Sequence, residues 1–541
     1  MKRLTLLLPL ALVACAPRPT ASSTSARIDP LSLPPPPGAG ITRKLNDLTA
    51  LKPVGDSGEV TVSRGAGNGK ALKVGGKTFK GLGTRAGGTV SFDLGGKCQT
   101  FTALVGVDDE TGKAGSVTFR VLADDREVFT SGVRRGGDPA LRVSADVGGA
   151  QTLTLAALGD GSSQDRADWL SPEVTCTVYS GPLTITRGGT YRGAWESLDP
   201  RVPAVSIQTD QPVVIEKSFL RGRGNLIRGS DVNLTVRDSR ALGLNPDVEG
   251  KSQGRFIDVS ASNLRVEHND IRGTRGIYLN GYTGDRGKDQ TVKIFFNFAH
   301  NIDGRISDGK GGYRLTKPNW AQFVQLGELQ GVPGVEIAWN RVENAPRRSG
   351  VEDNINLYDS SGTAASPIQI HDNLIDGGYA PNPAASYTGG GILVGDGCNR
   401  ENFVEVKDNT IIETSNHGIA VTGGNFARIE GNTILGTGRL ADGTLLDADD
   451  DAGIYLRDYC KTPGFRSETV VASGNTIGWG TPTAREPGKR YDLRAAAGVA
   501  TQNTLVADGA IDPALLTAAV AAWEARARTE GIALGAPDTA Q

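Results

Sequence analysis

Two carboxylic acids stand side by side at Glu352 and Asp353, just ahead of Asn356 and Tyr358. Adjacent acids in a polar groove suit glycosidic acid/base chemistry, because unequal surroundings push their two pKa values apart. The competing reading is a turn whose acids accept hydrogen bonds from backbone amides. Asn416-His417-Gly418 brings an imidazole onto an equivalent turn. Glu352, Asp353 and His417 are therefore the candidate catalytic residues. Arg255, Arg275 and Asp258 form a second candidate set, of the kind β-elimination uses: a cationic base near a metal-binding acid. The run Asp447, Asp449, Asp450 and Asp451 offers hard oxygen ligands, so Ca2+ is the one cofactor suggested, although the run lacks EF-hand spacing. No Cys/His set has metal-ligand spacing, and the sequence has no phosphate loop and no G-x-S-x-G element.

These residues sit in a repeating frame. Gly276-Ile277-Tyr278-Leu279, Asn354-Ile355-Asn356-Leu357, Gly391-Ile392-Leu393-Val394, Gly418-Ile419-Ala420-Val421 and Gly453-Ile454-Tyr455-Leu456 share one pattern, and Ile257-Asp258-Val259 and Val324-Gln325-Leu326 fit it. On a strand the branched residues point inward and the residue between them points outward. Stacked turns would line up Asp258, Tyr278, Gln325, Asn356, Leu393, Ala420 and Tyr455. The next outward column would be Ser260, Asn280, Gly327, Tyr358, Gly395, Thr422 and Arg457, and the preceding turn contributes Arg255, Arg275, Gln322, Asp353, Gly390, His417 and Ala452. Tyrosine beside Asn, Gln and Asp supplies what a sugar surface needs, an apolar face with hydrogen-bonding edges. Asp258, Tyr278, Asn280, Gln325, Asn356, Tyr358, Tyr455 and Arg457 are the candidate substrate-binding residues. The alternative is an ordinary solvated sheet face.

A second repeat runs in step with the first. Asn269, Asn340, Asn373, Asn409, Asn432 and Asn475 each follow one apolar-alternating strand and precede another. From Asn340 onward the intervals vary while the local motif does not, which describes constant rungs joined by variable loops. An Asn column can bond to its neighbours above and below and to the turn backbone, and Ser218 and Ser239 fit the same column in the first rungs. The insert from Ile302 to Trp320 is too long for a bare turn and is expected to overhang the groove.

Two resemblances follow from these motifs. Residues 41–178 carry Lys80-Gly81-Leu82-Gly83-Thr84, Gly95-Gly96-Lys97-Cys98, Phe101-Thr102-Ala103, Gly106-Val107-Asp108-Asp109-Glu110 and Asp165-Arg166-Ala167-Asp168-Trp169 in order. The segment resembles the NPCBM family, which implies a carbohydrate-binding, galactose-binding-like jelly-roll β-sandwich. Residues 179–505 resemble the right-handed parallel β-helix of the pectin-lyase-like fold. The Arg-Ile-Lys signature of pectinolytic hydrolases is missing, and His417 lies two rungs from Asp353 where their pattern has one. The resemblances imply an all-β, carbohydrate-active protein working by hydrolysis or β-elimination on a polysaccharide. The competing class is a non-catalytic glycan binder, adhesin or envelope scaffold.

Composition bounds the rest. Glycine contributes 73 of 541 residues, without a collagen period. With 58 Lys+Arg against 60 Asp+Glu, no nucleic-acid footprint is indicated. Lys2 and Arg3 precede an apolar run ending in Leu12-Val13-Ala14-Cys15, a secretory layout that resembles a bacterial lipobox. Residues 1–15 are thus expected to be a lipoprotein signal, with Cys15 lipidated and the protein exported to the outer membrane or cell envelope. Residues 16–40 form a Pro/Ser/Thr-rich tether. In an exported chain the other four cysteines read as disulfides. Cys398 and Cys460 each follow their repeat's Gly391 or Gly453 by the same offset, predicting Cys398–Cys460 and, within the sandwich, Cys98–Cys176. In the 506–541 tail, Asp512-Pro513 opens a helix with an apolar face of Leu515, Leu516, Ala519, Val520 and Trp523, expected to cap the open end of the solenoid.

Overall fold

The computed structural model describes residues 40–45, 50–51, 61–62, 70–162, 165–316, 320–384, 388–446, 452–480, 490–507 and 509–537. Cys15, the tether and the acidic run at 447–451 lie outside the described residues.

The first part is an antiparallel β-sandwich. One sheet contains Leu141–Asp146, Cys98–Val107, Arg166–Thr177, Gly81–Arg85 and Thr61–Val62, with Gly40–Lys44 pairing against Arg166–Thr177. The facing sheet contains Arg126–Arg135, Ser116–Ala123, Thr152–Gly159, Thr89–Asp93 and Ala50–Leu51. Alternation along Ser116–Ala123 buries Val117, Phe119, Val121 and Ala123, and Trp169 meets Phe119 edge-on at 5.2 Å in the core. Cys98 and Cys176 lie opposite one another on adjacent strands and are bonded.

From Leu183 to Leu505 the chain winds through a parallel β-helix of three faces. The third face is an 11-stranded parallel sheet running from Ala194–Ser197 to Thr504–Leu505. The long strands Ile227–Arg237 and Ile257–Glu267 serve the first and second faces in succession, which joins these into one 20-stranded sheet. No rung can bury its own apolar side chains, so the core is a continuous stack shared between neighbours.

The polar ladder follows one corner. Ser239 Oγ accepts from Ser218 N, and Asn269 Oδ1 accepts from Ser239 N. The column then continues through Asn297, Asn340, Asn373, Asn409, Asn432, Asn475 and Asn503, each Oδ1 accepting from the previous rung's backbone N–H and side-chain amide at 2.8–3.1 Å. The residue before each ladder position, from Lys217 through His268, Phe296 and Trp339 to Gln502, has φ between 48° and 69°. Asn297 and Asn503, which the sequence motif did not single out, complete the column.

The sandwich packs against the early rungs of the third face. Arg272 Nη1 donates to Gly148 O at 2.5 Å, Arg221 donates to Gly95 O, and Lys97 pairs with Glu196 at 3.6 Å. The helix Pro513–Thr529 begins at an Asp512 cap whose carboxylate accepts from Leu515 N. It does not close an end of the solenoid. Leu516, Trp523 and Ala527 pack onto Leu374, Ile412 and Leu435 of the third face, and the chain then returns toward earlier rungs, where Gly535 N donates to Phe296 O. The flank offers apolar side chains from three successive rungs for the helix to cover.

Cys398 and Cys460 belong to rungs separated by one other, yet they are bonded, with Cα atoms 5.3 Å apart. Gly423 of the intervening rung makes this possible: a Cβ there would stand 2.8 Å from Cys460 Sγ.

Asn373→Ala removes the acceptor of the Asn340 backbone N–H and of its side-chain amide, and the donor shared by the Ile337 and His371 carbonyls and Asn409 Oδ1. At ~1–3 kcal/mol for each buried group left unpaired, denaturant unfolding should show a loss of about 3 kcal/mol or more. Asn503→Ala, on the half-exposed last rung, should cost about 1 kcal/mol. Equal losses at the two positions would remove the ladder as the organising element.

Candidate functional site

The first face carries the expected column. Asp258 pairs with Tyr278, Tyr278 with Gln325, Gln325 with Asn356, Asn356 with Leu393, Leu393 with Ala420, and Ala420 with Tyr455. Their neighbours Ile277, Leu279, Ile355, Leu357, Ile454 and Leu456 are fully buried. The second column departs from expectation. A bulge after Asn356 sets Tyr358 opposite Asp396 rather than Gly395.

The strip is not open along its length. Asn280, Tyr358 and Arg457 are exposed, and Asp258 and Tyr278 are half-buried. Gln325, Asn356 and Tyr455 are buried, against the expectation of an exposed strip. Tyr455 packs with Ala420, Ala452, Leu393 and Tyr491, and its hydroxyl meets that of Tyr459. Arg457 stacks over Tyr459 at 4.4 Å. Residues of other loops therefore cover the far end of the face. The insert after Ile302 forms a hairpin, Ile306–Ser307 against Tyr313–Arg314, anchored by the buried Asp303, which accepts three bonds from Arg305 and one from Gln253.

Glu352, Asp353 and His417 do come together at the middle of the face. Asp353 is opposite Gly390, and His417 is on the rung beyond. A Cβ at Gly390 would lie 2.2 Å from Asp353 Oδ1 and 2.7 Å from His417 Nε2. Since glycine leaves that space free, Asp353 Oδ1 and His417 Nε2 approach to 3.4 Å across the intervening rung. Asn356 Nδ2 donates to Asp353 Oδ2 at 3.2 Å and to Asp396 Oδ2 at 3.0 Å. One amide thus bridges two carboxyl groups. The described partners of Asp353 are side chains, not the backbone amides of a turn cap.

Burial sets the charge states. Desolvation, reinforced by the charges of Glu352 and Asp396, raises the Asp353 carboxyl well above the usual range. Burial lowers His417 to about 4. Burial therefore favours the protonated acid on Asp353 and the neutral imidazole on His417. Glu352 is half-buried and accepts from Gln322 Nε2 at 2.9 Å.

Toward the earlier rungs the face turns cationic. Arg255 is buried, lies 4.5 Å above the Tyr278 ring, and donates only to neutral acceptors: Gln322, Gln325 and the carbonyls of Arg275 and Trp320, at 3.3–3.5 Å. Trp320, 61% exposed, stands beside it. Asp258 accepts from Asn225 Nδ2 at 2.6 Å. In the sandwich, the two motifs Gly106–Glu110 and Asp165–Trp169 also meet: Arg166 pairs with Glu110, and burial next to Asp108 pushes Asp168 up to about 9. Among the described residues no cluster of His, Cys, Asp and Glu is placed to hold a metal ion.

Sequence reasoning missed Asp396 and Trp320. Asp396 directly follows the Gly-Ile-x-Val-Gly unit, but only the bulge turns it toward Asn356. Trp320 ends the insert, and its carbonyl accepts from Arg255 and Arg275 of the turn column.

Comparison with known proteins bears on the two parts separately. Residues 42–175 match the NPCBM/NEW2 domain family. A Renibacterium salmoninarum protein named as an endo-alpha-N-acetylgalactosaminidase is 32% identical over 148 residues, 27% of this chain and 10% of its own. Alpha-1,3-galactosidase B of Akkermansia muciniphila is 31% identical over 121 residues, 21% of this chain and 15% of its own. The chain therefore spans only a small part of the curated relatives it matches. Among solved structures, the catalytic unit of a GH87 alpha-1,3-glucanase from Streptomyces thermodiastaticus aligns with 87% of this chain and 96% of its own, at 12% identity and a TM-score of 0.32.

Proposed function

We propose that this protein hydrolyses glycosidic bonds in a polysaccharide held along the first face of the β-helix, with the sandwich as its carbohydrate-binding module. The observation that carries the reading is the Asp353–Asn356–Asp396 bridge, in which a carboxyl raised by burial faces a second carboxyl through one amide. Asp353 holds the proton for the leaving oxygen, and Glu352 and Asp396 are its partner carboxyl groups. His417, neutral and buried, stands 3.4 Å from Asp353 across Gly390. Tyr278, Tyr358 and Trp320 provide apolar faces for sugar rings. Both curated relatives carry glycosidase names, which accords with a sandwich that concentrates an enzyme at a glycan surface. A second reading, a glycan-binding envelope protein without catalysis, draws on the 6% exposure of the Asp353 side chain. In either case the chain is exported and anchored through Cys15; Cys15→Ser should release it from the membrane fraction.

New reducing ends from a polysaccharide panel decide between the readings. Asp353→Asn should lower turnover by about 10²–10⁴-fold, and Gly390→Ala should do the same by forcing Asp353 and His417 apart. Wild-type turnover in Asp353→Asn would end the acid role.

The same variant reports the charge state. A carboxyl whose folded pKa lies above its unfolded value contributes stability below about pH 4 and loses it as pH rises. Asp353→Asn is spared that loss, so its Tm should gain on wild type between pH 4 and pH 8. A Tm difference independent of pH would show that Asp353 is not held protonated.

A further inference from the structure

A second site lies at the N-terminal foot of the same face. Arg228 continues the outward column one rung before Asp258, and Arg275 continues the turn column. Between them opens a cavity of about 480 Å³ lined by Arg201, Arg228, Lys251 and Arg275, with Asn225 and Gln253 among the neutral groups and no acidic residue in its wall. Among the described residues, Arg201 alone of the four cations has a carboxylate within ion-pair distance, that of Asp199. Arg275 donates to the Gln253 and Trp320 carbonyls. Arg255, behind it, is 4% exposed and likewise has only neutral acceptors. The nearby Asp258 carboxylate is engaged by Asn225 at 2.6 Å.

Guanidinium groups taken out of water are normally matched by a carboxylate, because an unmatched buried charge is costly. Here Arg255 and Arg275 are withdrawn from water with no carboxylate in contact, the charge of Asp258 reaching both only at longer range, and Arg228 and Lys251 face the same space. Solvated surface cations would account for Arg228 and Lys251 alone, but not for Arg255 and Arg275. A planar carboxylate or a sulfate offers the acceptors that such donors lack, in the geometry arginine binds most strongly.

We propose that this cavity is an anion-recognising subsite and that the glycan bound along the first face carries acidic sugars, either uronates or sulfated residues. The inference rests on the first face being the glycan groove. Four rung steps separate Arg228 from Asn356, or about 19 Å at the usual strand spacing, so one chain spans the basic foot and the acid centre. The chain's overall charge of −2 hides this local excess.

The test is equilibrium binding of length-matched oligosaccharides to the full protein: oligogalacturonate, a chondroitin sulfate oligosaccharide and a neutral maltooligosaccharide, at low salt and at high salt. At least one acidic probe should bind about tenfold or more tightly than the neutral one, with the advantage shrinking in salt. Tight binding of oligogalacturonate alone assigns uronate, and of the chondroitin probe alone, sulfate. Arg275→Gln should abolish the preference. Arg228→Gln combined with Lys251→Gln, two substitutions at the cavity rim, should weaken it severalfold and serves if Arg275→Gln does not fold. Equal binding of acidic and neutral probes, or an acidic preference unchanged in the folded variants, would overturn the subsite. Neutral-glycan hydrolysis with no acidic preference would overturn it too, while leaving the hydrolase reading intact.

Discussion

The solenoid depends on a left-handed residue at one corner of every turn and on the side chain that follows it. That backbone conformation is unfavourable for most of the residues that adopt it here, including Phe296, Trp339 and Lys217. It also leaves amides and carbonyls buried where water cannot reach. The Asn column resolves both problems together. Each carboxamide accepts from the preceding rung's backbone and donates to carbonyls of its own and the preceding turn. Loops between rungs can then vary in length without shifting the register, because the ladder resets it at every turn.

A fixed register makes columns, and columns make a site out of residues far apart in sequence. Neighbouring side chains in a column touch. Residues two rungs apart normally do not, since the rung between them intervenes. The protein breaks this rule twice by the same device. Gly390 lets Asp353 reach His417, and Gly423 lets Cys398 reach Cys460. In both cases the missing Cβ is the structural element, and an alanine would fill the space through which the contact is made. Glycine enrichment thus has a role beyond tight turns.

The face so built is electrostatically divided. At its middle, acids crowd, and burial favours the protonated form of Asp353. At its foot, arginines crowd with only the longer-range charge of Asp258 to oppose them. These groups belong to the same sheet and neutralise one another only weakly, because the Asn, Gln and Tyr residues between them hold each cluster in place. A folded protein gains no stability from this separation; a ligand that needs a proton at one point and a cation at another does.

Much of this was legible in the sequence. The two-residue alternation around each Gly-Ile-x-Val unit set which side chains face inward, and the first outward column follows from it without error, because strand geometry leaves only two directions. The Asn ladder, both disulfides and the two-domain, all-β architecture were readable for similar reasons: each is a local pattern repeated at equivalent positions. What the tertiary structure alone decided concerns what lies above the sheet. Loops buried Asn356, Gln325 and Tyr455, which alternation would leave exposed. A bulge substituted Asp396 for Gly395. The C-terminal helix chose the flank over the open end. Periodicity describes the direction of a side chain, but burial, and with it the protonation of Asp353 and the isolation of Arg255, depends on which distant segments come to rest over it.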